Sequence, residues 1–397
     1  MRNTRYLSNF TLKAMSVGSG DYVSRDHDEL AHIEMLKKKH GLETVYRFDI
    51  GKNTDGFSPR VRRELDKPDF QNGVLNLTDD YPDNHYVQLR GQLSRRYKLP
   101  PEWFAISAGL ESMIDHIARS VFNPGDTYLL PVPNFSVFED MSKRTMAHPV
   151  EVPLGDDLQW TGETVHRLIR EMKQVQPRLV WISNPVNPTG QLIPKELIER
   201  VVRAAGLFGV LVVVDEAYGE YTDHDKVFVS AASMLKGNPQ LVVLRTFSKM
   251  FGLPSARVGY MMSSQRELVD AVNMYRPMFP FSWFSLHLAQ VAIGDEAHVR
   301  MSRRRVARRR RAFFDAVSDL ADFQFLPTQV NTVMFRHTGL RAHELTDLLE
   351  EKGILTANLN GVAGIRNRGF LRMTLRSHKD NEVFVSACRE VQRRVCQ

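Results

Sequence analysis

Through the middle of the chain, apolar residues come in short unbroken runs rather than in strict alternation with polar ones. Phe104-Ala-Ile-Ser107, Thr127-Tyr-Leu-Leu130, Leu179-Val-Trp-Ile182, Val210-Leu-Val-Val-Val214, Leu241-Val-Val-Leu244 and Val258-Gly-Tyr-Met261 are rich in β-branched and aromatic side chains. That pattern predicts strands covered on both faces. Stretches of helical spacing separate them from about residue 100 to 265, and such alternation predicts a parallel sheet with helices on both sides. Ligands of open α/β sheets bind outside the carboxyl ends of the strands, so the residues that follow each run are the ones to inspect.

They carry chemistry. Leu241–Leu244 leads into Arg245-Thr-Phe-Ser-Lys249-Met-Phe-Gly-Leu-Pro-Ser-Ala-Arg257-Val-Gly259. Just past a buried strand, the Lys249 amine is placed to lose its proton and attack an aldehyde, while Ser248 and Arg257 suit a phosphate. Leu211-Val-Val-Val-Asp215-Glu-Ala-Tyr218 delivers a carboxylate at a strand end, where Asp215 can face a pyridinium nitrogen. Trp181-Ile-Ser-Asn184-Pro-Val-Asn187-Pro-Thr-Gly190 ends another run in a turn, and the Asn187 amide can bond a phenolate oxygen. Ile106-Ser-Ala-Gly109-Leu-Glu-Ser112 closes a strand and opens a helix, whose free N–H groups would face an anion.

In this order the three segments N-P-V-N-P-T-G, D-E-A-Y and S-K-M-F-G-L, with an arginine eight residues after the lysine, resemble the fold-type I pyridoxal-phosphate (PLP) enzymes of aminotransferase class I/II. The resemblance runs from about Asp49 to about Arg376 and is closest to the histidinol-phosphate aminotransferase-like branch. It implies an α/β, aspartate-aminotransferase-like fold: a large doubly wound, mostly parallel sheet domain over residues 60–275, and a smaller α/β domain from 1–59 and 276–397 with an N-terminal arm. Tyr275-Arg-Pro-Met-Phe-Pro-Phe281 marks the expected boundary.

The resemblance also implies site residues. Gly109, Leu110 and Glu111 would cradle the PLP phosphate with Thr246, Ser248 and Arg257, and Phe135 would stack on the pyridine ring, with Phe138 as core filler. Asp215 would hold the ring nitrogen protonated, Tyr218 and Asn187 would bond the ring hydroxyl, and Lys249 would form the Schiff base; Glu216 would be structural. Tyr81, in Asp80-Tyr-Pro-Asp-Asn84, would reach the phosphate of a neighbouring subunit, which implies a homodimer. Arg372, in Phe370-Leu-Arg-Met-Thr374, would fork onto the substrate α-carboxylate, with Gly51 and Asn53 close by.

The implied activity is PLP-dependent transamination of an amino acid or amino-acid derivative by Schiff-base and quinonoid chemistry. Departures from the family pattern gather on the substrate side. Lys52 and Thr54 alter the N-terminal motif, Ala357 stands where histidinol-phosphate aminotransferases place a phosphate-binding arginine, and Arg376 replaces a usual glycine. Arg366, Arg368 and Arg376 are the arginines available to rebuild an anion site. A decarboxylase, cyclase or oxidase on the same scaffold is the alternative.

Composition narrows the rest. A chain of 397 residues, 43% hydrophobic and 25% charged, suffices for a large core. Its net charge of +7 suits phosphate and carboxylate ligands, and the arginines at 303–305 and 308–311 read as a solvated helix face because Val306, Ala307, Phe313 and Val317 supply an apolar stripe. Nucleic acid is not an expected partner, and no added helix-turn-helix segment suggests a DNA-binding regulator. Cys388 and Cys396 lack metal or redox spacing, so no metal site is expected. No run approaches a membrane span and no signal segment is visible; the expected location is cytoplasmic. Arg2, Arg5 and Lys13 fall in a stretch read as an arm over the active site or the partner subunit.

Overall fold

The computed structural model describes residues 8, 10–12, 28–67, 81–222 and 228–395; most of the expected N-terminal arm lies outside the described residues. Thirteen strands are defined among them. In chain order they are β1 (Tyr46–Arg47), β2 (Phe104–Ser107), β3 (Thr127–Val132), β4 (His148–Pro153), β5 (Leu179–Ser183), β6 (Leu211–Asp215), β7 (Leu241–Thr246), β8 (Gly259–Ser263), β9 (Phe323–Phe325), β10 (Thr332–His337), β11 (Ile354–Leu355), β12 (Ala357–Asn358) and β13 (Leu371–Thr374).

Seven of these form one sheet in the order β2-β8-β7-β6-β5-β3-β4. The β4–β3–β5–β6–β7 pairings are parallel, and β8 runs antiparallel to both β7 and β2. The unbroken apolar runs have a direct cause. Along β6 and β7, Val212, Val214, Leu241 and Val243 face one apolar cluster, while Val213, Val242 and Leu244 face another. Helices Gly162–Val175 and Lys195–Phe208 cover the first face through Leu168 and Val201. Gly109–Val121 and Arg266–Tyr275 cover the second through Met113 and Val272. With both faces apolar, alternation disappears from the sequence.

A second, antiparallel sheet, β12-β13-β10-β9, has its own core of Phe313, Val333, Phe335, Met373 and Phe384. The N-terminal segment joins it: β1 pairs with β11, and His32 meets Glu350 at 3.2 Å. Beyond residue 275 the chain first continues in the large-sheet core. Phe281, Leu286, Ile293, Val299 and Val306 pack into the large-sheet cluster, and the small-sheet cluster, which also takes Phe48, is joined again from Phe313, so the cores part within helix Glu296–Ala316. Arginines of that helix reach inward as well as to solvent. Arg303 Nε donates to the Glu220 carbonyl at 2.8 Å, Arg309 holds Asp55 at 2.5 Å, and Arg310 donates to the Gln329 carbonyl at 2.8 Å.

Candidate active site

The carboxyl ends of β5, β6 and β7 open onto a cavity of about 230 Å3 lined by Leu110, Glu111, Phe135, Val137, Ser183, Pro185, Asn187, Asp215, Ala217, Tyr218, Thr246, Ser248, Lys249, Pro254 and Arg257. Segments far apart in sequence thus meet at one place, as the strand ends require. A larger open concavity of about 470 Å3 beside Gln191 and Phe228 gathers no comparable set of reactive groups.

At one end of the cavity, helix Gly109–Val121 begins without a side-chain cap, and its first N–H groups are available to an anion. Gly109 adopts φ +82°, and a Cβ there would lie 2.5 Å from Arg257 Nη2. Glycine therefore lets the guanidinium press against the start of the helix. Thr246 Oγ1 lies 3.1 Å from Ser248 Oγ and accepts the Ser248 N–H at 3.1 Å, which fixes the hydroxyls on the same side. Leu110 contributes apolar surface and backbone here, with no hydroxyl.

Asp215 ends β6 with only 4% of its surface exposed. Burial pushes its carboxyl up to about 7, against the lowering effects of the Ala217 N–H, which donates to Oδ1 at 2.8 Å, and of the Lys249 charge. A buried carboxylate of this kind calls for a cation or an N–H donor. Lys249 Nζ donates to the Gly51 carbonyl at 2.8 Å and lies 5.0 Å from the centre of the Tyr218 ring. A Cβ on Gly51 would stand 2.3 Å from the Tyr218 hydroxyl, so the backbone passes close over both groups.

Arg372, on β13, donates from Nη1 to Asn187 Oδ1 at 2.9 Å and from Nη2 to the Asp49 carbonyl at 3.2 Å. These bonds bring the small sheet to the Asn187 turn. Gly190 in that turn has φ +74°, and a Cβ on it would come within 2.0 Å of Thr328 Oγ1.

Not every expected residue reaches the cavity. Asn53 does not line the cavity: its Nδ2 donates to the Met250 carbonyl at 2.7 Å and its Oδ1 accepts the Asp55 N–H at 3.0 Å. It braces the loop after Lys249. Tyr81 is exposed and stacks on Phe279 with ring centres 4.4 Å apart. The arginines available for a second anion site are engaged elsewhere. Arg376 bonds Asp380 and the Arg47 carbonyl, Arg368 bonds the Asp156 carbonyl, and Arg366 meets Glu151. Buried Ala357 lies directly opposite Arg372 in the β12–β13 register.

Phe138 is core, stacked on Trp181 at 4.8 Å, and Phe135 meets it edge-on at the cavity wall. Glu216 is wholly buried, with Arg245 at 2.7 Å, the Ser230 hydroxyl at 2.6 Å and the Ala231 N–H at 2.7 Å. Sequence reasoning missed Ser183 and Asn134. Ser183 Oγ donates to Asn134 Oδ1 at 2.7 Å and accepts the Asn187 N–H at 3.1 Å; the available signal was a lone hydroxyl closing an apolar run.

The donor set fits PLP. It combines a helix start with an arginine and two hydroxyls for a phosphate, a buried carboxylate for the ring nitrogen, and a lysine amine for the aldehyde. Among the described residues, no cluster of side chains suits a metal ion and no helix is long and apolar enough to cross a membrane.

Residues 43–388 match the family model described as aminotransferase class I and II. The chain is 28% identical over 361 residues to histidinol-phosphate aminotransferase from Caldicellulosiruptor saccharolyticus, covering 90% of this chain and 95% of that protein. It is 29% identical to the enzyme of the same name from Halalkalibacterium halodurans, covering 90% and 92%. Among solved structures, histidinol-phosphate aminotransferase from Sinorhizobium meliloti in complex with pyridoxal-5'-phosphate superposes with a TM-score of 0.77 at 24% identity, over 94% of this chain and 99% of that one. Aspartate aminotransferase from Thermus thermophilus with maleate gives 0.79 at 17%, over 98% and 100%. At these identities the structures share a fold.

Proposed function

Because the chain belongs to the class I and II aminotransferases, we propose that the cavity at the ends of β5–β7 is the site at which it transaminates an amino acid or amino-acid derivative with PLP. The observation that carries this reading is the convergence of Lys249, Asp215 and Arg257 on one cavity. When bound, PLP supplies an electron-withdrawing ring that stabilises negative charge developing at the substrate Cα.

The chain's own groups do the remainder. The N-terminus of helix Gly109–Val121, Ser248, Thr246 and Arg257 hold the phosphate. Asp215, a carboxylate buried at the end of β6, would be the residue facing the ring nitrogen, where its charge favours the protonated form. Tyr218 and Asn187 would be the donors for the ring hydroxyl, and Phe135, also at the cavity wall, would be the aromatic side chain that packs on the ring. Lys249, whose amine reaches the cavity beside the Gly51 carbonyl, would be the residue that holds the aldehyde and, when freed, the base for the substrate Cα proton. Arg372, oriented by Asn187 and the Asp49 carbonyl, receives the α-carboxylate.

In this reading the large domain carries the cofactor, and the small domain, built from the N-terminal segment and the residues beyond the midpoint of helix Glu296–Ala316, carries Arg372. The working unit is a homodimer. Its support is the apolar surface exposed at Tyr81, Val87, Met274, Met278 and Phe279, a grouping that favours burial against another surface. The compartment is the cytoplasm, where a buried free thiol such as Cys388 stays reduced.

A single-turnover half-reaction tests the function. Holoenzyme is mixed with a panel of amino acids and no acceptor, the cofactor absorbance is followed, and products are identified by mass spectrometry. Pyridoxamine phosphate with a keto acid is expected; release of carbon dioxide, ammonia or a cyclised product would replace transamination with another reaction of the same scaffold. Lys249→Ala is expected to lose about a thousandfold or more of the rate, and borohydride should no longer fix the cofactor to the chain.

A further inference from the structure

A buried polar network joins the loop after β3 to the end of β5. Asn134 follows β3 and Ser183 closes β5, and the two are 6% and 4% exposed. Asn134 Nδ2 donates to the Trp181 carbonyl at 3.1 Å, so its Oδ1 is the end left to accept. That oxygen takes the Phe135 N–H at 2.9 Å and the Ser183 hydroxyl at 2.7 Å. With its proton committed to Asn134, Ser183 Oγ accepts the Asn187 N–H at 3.1 Å. Every donor and acceptor in this chain of bonds has a single assignment, and buried networks satisfied in this way are rigid.

The network ends on two residues of the cavity. Phe135, Ser183, Asn187 and Asp215 all line it, and Asn134 stands outside that lining. The N–H groups held by Asn134 and Ser183 belong to the ring-packing aromatic and to the amide assigned to the ring hydroxyl. Asn187 is fixed at its side chain as well: Oδ1 accepts from Arg372 Nη1 at 2.9 Å, which makes Nδ2 its donor end. Ser183 also lies opposite Asp215 in the β5–β6 register, so the same hydroxyl stands beside the strand that carries the buried carboxylate.

We propose that Asn134 and Ser183 are positioning residues that act as one unit, through their shared hydrogen bond, to set the Asn187 amide and the Phe135 ring for the cofactor. The inference rests on the roles given above to Asn187 and Phe135. It predicts that Asn134, outside the cavity lining, alters the bond from Asn187 to the ring hydroxyl by way of Ser183. A donor on that oxygen stabilises negative charge there. When the donor is misplaced, the bound cofactor holds its proton to higher pH, and the midpoint of its absorbance change with pH rises.

The test titrates cofactor-free protein with PLP and then follows the absorbance of each loaded variant against pH. Ser183→Ala should raise the midpoint by about one pH unit and weaken PLP binding by about tenfold, the scale of one hydrogen bond. Asn134→Ala should raise the midpoint by about half as much, and the double variant by no more than Ser183→Ala alone, because the two residues work through one bond. Ser183→Thr keeps the hydroxyl and should return the midpoint to the wild-type value. Ser142→Ala is the control for stability: Ser142 is buried, accepts from Trp181 Nε1 at 3.0 Å and lies outside the cavity lining. It should lose stability in urea and leave the midpoint in place. Where Ser183→Ala folds poorly, Asn134→Ala and Ser142→Ala make the same comparison. An unmoved midpoint in Asn134→Ala, additive shifts in the double variant, no return in Ser183→Thr, or an equal shift in Ser142→Ala would overturn the inference. The reading beneath it fails differently: a wild-type chain that takes up no PLP, or an unmoved midpoint in Asn187→Ala, removes Asn187 from the ring and takes this inference with it.

Discussion

Gly109 packs against Arg257 with no room for a side chain, since a Cβ would sit 2.5 Å from Nη2 on a backbone with φ +82°. Gly109→Ala must therefore move the guanidinium or the helix start, and both belong to the proposed phosphate cradle. Titration of the cofactor-free protein with PLP should show affinity reduced by about tenfold or more. Stability should fall by roughly 1 kcal/mol from the left-handed backbone alone.

Asp215 makes the stability of the cofactor-free protein depend on pH. Its carboxyl is raised to about 7 by burial, so between about pH 4 and that value the folded chain keeps a proton that the unfolded chain has released. This group's contribution thus falls as pH rises through that window and is flat above it. Asp215→Asn should stabilise the cofactor-free protein relative to wild type, little at or below pH 4 and by a few kcal/mol at pH 8, as read by urea unfolding. The same variant should lose nearly all transamination, because the amide cannot hold the ring nitrogen protonated.

Arg245 lies 1% exposed between two wholly buried carboxylates, 2.7 Å from Glu216 and 2.8 Å from Glu220. A Cβ on Gly219 would stand 2.7 Å from its guanidinium carbon, so the packing is as tight as the charge pairing. Arg245→Met should cost roughly 3–5 kcal/mol by leaving buried charge uncompensated. Arg245→Met with Glu216→Gln and Glu220→Leu should recover much of that in chemical denaturation. The contrast separates lost pairing from lost packing.

Phe279 and Tyr81 stack at the exposed apolar surface. Phe279→Glu should place a charge in the proposed subunit contact and shift the sedimentation coefficient from dimer to monomer at micromolar concentration. PLP affinity should fall with it if Tyr81 serves the neighbouring site.

How the chain lost alternation in its strands explains why the large sheet was legible from sequence. Residues such as Val212 and Val213 are buried on opposite faces, so the runs announce themselves and their ends point to Asp215 and Thr246. The small domain was harder to place. Its boundary was drawn at residue 275, yet Leu286 to Val306 pack under the large sheet, a choice between two apolar neighbours that no local pattern encodes.

By itself the sequence determined the apolar runs of the large sheet, the residues Asn187, Asp215, Tyr218, Lys249 and Arg257 that meet at one cavity, and the family, because each shows in a motif only a few positions long. Only the tertiary structure decided which polar residues are engaged at a distance. Asn53 turned to the Met250 carbonyl, Arg376 to Asp380 and the Arg47 carbonyl, and Arg47 to Glu29 and Asp49. A side chain's role is set by the partners that folding brings within about 3 Å, and for these residues all but the nearest partners lie in other segments of the chain.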